Sequence, residues 1–76
     1  MQRNIRQKRA KQFYSWLQRT YGTEVGESLR EIAMRNGTIK HVCVKDYIDT
    51  LVRMGYMKPT GKTGNVIIYQ LNTIPQ

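Results

Sequence analysis

Seventy-six residues allow one small domain, near the lower limit of chains that fold without disulfides or metals to staple them. Hydrophobic residues make up 39%, enough for three short helices and a small sheet but too few for a lidded substrate cavity. Thirteen Lys and Arg against five Asp and Glu leave a formal charge of +8, which points to a polyanion whose condensed counterions are released as cations neutralise its phosphates; a basic surface kept for solubility, or a ribosome-associated fragment, is the plainer alternative.

The chain opens on MQRNIRQKRAK, five basic side chains and no acid. Residues 1–7 read as a basic arm, 8–71 as the domain and 72–76 as a frayed tail. Asn4 followed by Gln7 spells a capping box for a first helix. Ala10, Phe13, Tyr14, Leu17 and Tyr21 then form one apolar stripe at helical spacing, and Gly22 ends it. Trp16 sits at the edge of that stripe, either at the margin of the core or facing a partner chain.

Val25 offers one short strand. Ser28 and Glu31 form a better capping box, opening a second helix through Leu29, Ile32 and Ala33 to Asn36, with Gly37 as its stop. Thr38 is the expected cap of a third helix over about residues 39–54, since its hydroxyl can accept from the next turn's amides. Val44, Tyr47, Ile48, Leu51 and Met54 supply the apolar stripe, ended by Gly55. Tyr56 to Thr60 reads as a strand with Pro59 marking an edge, Gly61 to Asn65 as a turn, and Val66 to Leu71 as the β-branched and aromatic return strand.

SLREIAMRNG (28–37), VKDYIDTLVRMGYM (44–57) and TGKTGNVIIYQL (60–71) in this order resemble the winged helix-turn-helix superfamily of DNA-binding domains. The resemblance spans about residues 8–71. It implies an α+β, mainly helical fold: three helices forming a winged helix-turn-helix, with a C-terminal β-hairpin wing. Helix three would be the recognition helix, its N-terminal half entering the major groove.

With Val44, Ile48 and Leu51 facing the core, the outward candidates on that helix are Thr38, Lys40, His41, Cys43, Lys45 and Asp46. Lysine bonds guanine O6 and N7 or a phosphate, and histidine can do either. Asp46 and Asp49 would accept from cytosine, pair with Lys45 or Arg53, or repel a wrong register. Lys58, Lys62 and Thr63 would set the wing on the backbone or in the minor groove. Arg3, Arg6, Lys8, Arg9 and Lys11 would clamp the backbone without reading sequence, and Arg30 and Arg35 on the positioning helix would touch its flank. The plainer reading of each charge is a solvated face. The tyrosines read as core, with Tyr69 alone a candidate for base stacking.

Nothing in the chain supports catalysis. Gly61-Lys62-Thr63 lacks the earlier spaced glycine and following helix of a phosphate-binding loop, and no Ser, His and acid constellation stands out. Cys43 is the only cysteine, which excludes an internal disulfide; with His41 it makes two metal ligands without partners, so no metal or cofactor is expected. The apolar runs are too short for a membrane span or a signal peptide. The expectation is therefore a cytoplasmic non-enzyme, nucleoid-associated in a bacterial or archaeal host, binding double-stranded DNA as a small phage- or plasmid-like transcription regulator. A homodimer fits, because one recognition helix reads few base pairs. The rival is a winged helix that holds a second protein, or serves a replication or segregation complex, and binds nucleic acid non-specifically through its basic arm.

Overall fold

The computed structural model describes residues 2–72, with side chains from Ile5 onward. The elements run α1 (Gln2–Tyr21), β1 (Glu24–Val25), α2 (Leu29–Asn36), α3 (His41–Met54), β2 (Met57–Thr63) and β3 (Val66–Leu71). The strands form one antiparallel sheet in the order β1-β3-β2. This is the expected α+β, mainly helical architecture, three helices and a small antiparallel sheet with a C-terminal hairpin, in a layout consistent with a winged helix.

The apolar stripes meet where their spacing placed them. Ala10, Phe13, Tyr14 and Leu17 of α1 close over Ile32 of α2, and over Val44, Ile48 and Leu51 of α3. Val25, Met57 and Leu71 finish the core from the sheet. Tyr21 and Met54 are only half-buried. Trp16 stacks on Phe13 at 5.5 Å between centroids and meets Tyr21 edge-on at 5.8 Å, so it packs at the core's margin.

Helix ends follow local chemistry in most places. Ser28 and Glu31 make the reciprocal capping box: the Glu31 amide donates to Ser28 Oγ at 3.2 Å, and the Ser28 amide to Glu31 Oε1 at 3.0 Å. Gly37 and Gly55 take φ values of 82° and 85° at the ends of α2 and α3, where a Cβ would be strained.

Several boundaries differ from the sequence expectation. α1 begins at Gln2, so Asn4 and Gln7 lie inside the helix rather than capping it; Gln, Arg, Lys and Ala are good helix formers and nothing between them breaks the run. Thr38 does not cap α3. Its amide donates to Asn36 Oδ1 at 3.2 Å and its hydroxyl bonds the same oxygen, which spends it on the preceding turn. The cap position belongs to Lys40, which makes no side-chain capping bond, and the helix starts at His41.

The hairpin also departs from expectation. β2 continues to Thr63, and only Gly64 and Asn65 form the turn. Gly64 has φ 62° and no non-glycine residue among the described residues has positive φ, the pattern of a type II′ turn whose twist suits paired strands. Pairing slips between Pro59 and Gly61, leaving Thr60 as a bulge. Asn72, expected in a frayed tail, is tied down: its amide donates to Tyr56 O and its side chain to Gly55 O, both at 2.9 Å, while the Tyr14 hydroxyl donates to its carbonyl. Residues 73–76 lie outside the described residues.

Candidate nucleic-acid interface

The hairpin is longer than the core needs, so its tip stands free beside α3. Between them, closed at one end by the start of α2, runs a groove of about 640 Å³. Its apolar wall comes from Leu29, Ile48, Ile67 and Tyr69, and its rim carries Arg30, His41, Lys45 and Asp49. No residue of α1 lines it. Ile67, two residues from Tyr69 and four from Leu71, shares their face of β3 but lies beyond the helices and is 42% exposed. The alternating pattern contained that signal; what it lacked was where the helical cover stops.

The bulge decides which cation of the hairpin reaches this groove. Residues paired across strands share a sheet face. Lys58 pairs with Gln70, on the face away from the core, whereas Lys62 pairs with Ile67, on the face turned to α3. Four residues apart on a regular strand, both would share one face. Thr60 breaks that alternation and separates them. Thr63, paired with Val66 beside the turn, is exposed.

Electrostatic pairing redistributes the rest. Lys45 Nζ meets Asp49 Oδ2 at 3.1 Å one turn along α3. Arg6 Nε reaches Asp46 Oδ2 at 3.6 Å from α1. Both pairs are exposed and worth little as stability, but each neutralises an acid that would otherwise repel a phosphate. Tyr69, expected in the core, packs against it half-buried and also forms part of the groove wall; burial and then Asp49 push its hydroxyl pKa up, against Lys45. Thr38, Lys40 and Cys43 are exposed, the first in the turn before α3 and the second at its cap.

Arg35 is engaged elsewhere. Its Nη2 and Nε donate to Glu27 Oε2 and Oε1 at 2.6 and 3.1 Å, and Tyr21 donates its hydroxyl to Glu27 Oε1 at 2.6 Å. Arg35 and then the Tyr21 hydroxyl hold the Glu27 carboxyl below its usual pKa. Burial, reinforced by Glu27, pushes Tyr21 up to about 12. This triad fastens the end of α1 to α2, a role no local spacing in the sequence announces. Arg30, in contrast, is exposed on the groove's rim.

Charge is unevenly shared among the helices. α1 holds Arg3, Arg6, Lys8, Arg9, Lys11 and Arg19 and no acid, while α3 balances Lys45 and Arg53 against Asp46 and Asp49. Arg6, Lys8, Arg9 and Lys11 are exposed; the side chain of Arg3 lies outside the described residues. Among the described residues no group of three or more His, Cys, Asp or Glu gathers as metal ligands, and no helix is long and apolar enough to cross a membrane. Comparison with protein-family models, curated proteins and solved structures finds no match to the chain.

Proposed function

We propose that this protein binds double-stranded DNA in a sequence-selective way, acting as a small transcriptional regulator that seats α3 in the major groove with the hairpin beside it. One observation supports the reading: Arg30, His41 and Lys45 line one open groove between α3, the start of α2 and the hairpin, together with the paired acids Glu27 and Asp49, and Lys62 lies on the hairpin face turned toward it. Lys45 and His41 stand where base edges would be read, and Arg30, Lys40 and Lys62 would hold phosphates.

The bulge supplies a sharp test. Lys62→Ala should weaken duplex binding by roughly 3–10-fold and lower the salt slope by about one, the signature of one lost phosphate contact. Lys58→Ala, on the opposite sheet face, should change affinity less than about twofold. Fluorescence anisotropy with a labelled duplex reads both. Equal effects from the two lysines would remove the hairpin's inner face from the interface.

A second reading has its own support. Val42, on the outward arc of α3, is 60% exposed, and Met34 on α2 is 81% exposed, apolar groups that a protein partner would cover. Under that reading neither lysine of the hairpin matters to DNA, and α1 alone holds it.

A further inference from the structure

α1 breaks the rules that α2 obeys. α2 has Glu31 in its first turn and Arg35 in its last, matching the helix dipole. α1 has no acid in its first turn and crowds five cations into residues 3–11. The first of them stand in or next to the opening turn, where the dipole favours an acid. Arg6 with Arg9 and Lys8 with Lys11 also sit three apart, where like charges repel. A surface held against local stability marks a place where a partner supplies the missing charge.

The geometry says where that partner lies. Ala10, Phe13, Tyr14 and Leu17 point α1's inner face at the core. Half a turn away lie Lys8, Gln12, Ser15 and Arg19, with Lys11 on the flank, all exposed. This arc extends about 16 Å along the helix from Lys8 to Arg19 and presents cations and hydrogen-bonding side chains without an acid or a large apolar group. The groove is on the other side of α3, and α1 contributes nothing to it. A duplex seated on α3 and the hairpin therefore faces away from Lys8 and Arg19. Arg6, which reaches round to Asp46, is the α1 cation that borders that side.

We infer that the outer face of α1 is a second duplex-binding site, sequence-independent, so that one molecule bridges two DNA segments. The inference rests on the reading of α3 and the hairpin as the first site. Lys8, Lys11 and Arg19 neutralise phosphates of the second duplex, and Gln12 donates to its backbone. The two duplexes lie on opposite sides of a domain whose smallest dimension is 20 Å, beyond the ~8 Å screening length of physiological salt.

The test is a two-duplex capture at near-physiological salt. A biotin-tagged duplex on beads is mixed with a fluorescent second duplex and the full chain, and single-duplex affinity is measured in parallel by anisotropy. Wild-type protein should carry the second duplex onto the beads. The triple variant Lys8→Glu, Lys11→Glu, Arg19→Glu should keep single-duplex affinity within about fivefold and lose capture by at least about tenfold, because the first site contains none of these residues. Lys8→Gln, Lys11→Gln, Arg19→Gln, checked by circular dichroism, replaces it where the reversal fails to fold. Capture by the variant at the wild-type level would assign bridging to a dimer and overturn the proposal. So would a wild-type protein that binds one duplex and captures none, or a variant that loses both activities, which would make α1 the sole site. A wild-type protein that binds no duplex at all would fell the regulator reading itself.

Discussion

Duplex affinity is expected to fall roughly 40-fold between 50 and 200 mM salt, from about three phosphates neutralised and a slope near −0.9 for each. The cations proposed to hold them are Arg30, Lys40 and Lys62, all exposed. On the proposed reading each would displace condensed counterions, and the entropy of their release would drive binding. Asp46 and Asp49 do not cancel the attraction, because Arg6 and Lys45 already neutralise them. The measurement is anisotropy with one duplex over a salt series. A slope shallower than about −2 would mean that the charge of +8 does not act on DNA backbone.

Leu51→Ala should have the largest effect on the fold. Leu51 is fully buried where α3 meets the core cluster shared with α1 and the hairpin. Truncation removes most of its buried side chain and leaves a cavity, at a cost of about 2–5 kcal/mol. A domain of this size has a total stability of roughly 4–11 kcal/mol, so the variant sits near or at the unfolding threshold. Urea denaturation should show the midpoint collapse, while Met34→Ala on the surface stays within about 0.5 kcal/mol. A Leu51→Ala cost below about 1 kcal/mol would contradict the packing of α3. Because α3 carries the proposed reading surface, duplex binding by Leu51→Ala should fall with its folded fraction.

What the sequence revealed and what it hid follow one physical division. Signals that act within a turn or two were legible. Ser28 with Glu31, the glycines at 37 and 55, and the stripes through Leu17 and Ile48 all settle locally, and the structure realises them. Features that depend on distant partners were not. Thr38 looked like a cap, yet its hydroxyl bonds Asn36 and leaves α3 to start at His41. Asn72 looked like a tail, yet Tyr14, Gly55 and Tyr56 hold it from elements far away in the chain. The bulge at Thr60 follows from how the hairpin pairs, so the separation of Lys58 from Lys62 could not be read from their spacing.

The candidate site shows the same division. Lys45 and His41 were legible as outward because they fall off the apolar stripe of α3, and Lys62 because it was read in the hairpin turn. Arg35 also looked outward, but Glu27, eight residues earlier, takes both its hydrogen bonds. Ile67 read as an ordinary strand residue and Tyr69 as core with base stacking as its alternative; both became groove wall only when the hairpin outran the helices. The concentration of cations on α1 was visible in the chain from the start. Its meaning depended on which way the helix faces.

The measurement that bears most directly on the central claim is selection from a randomised duplex library at near-physiological salt, run in parallel with wild-type protein and Lys45→Ala. Recovery of a defined motif by the wild type, and its relaxation at one or two positions by the variant, is the predicted result, since a base contact by α3 reads sequence where phosphate contacts do not. Salt-sensitive binding that enriches no motif, or a motif that Lys45→Ala leaves untouched, would contradict the assignment of α3 as the element that reads DNA.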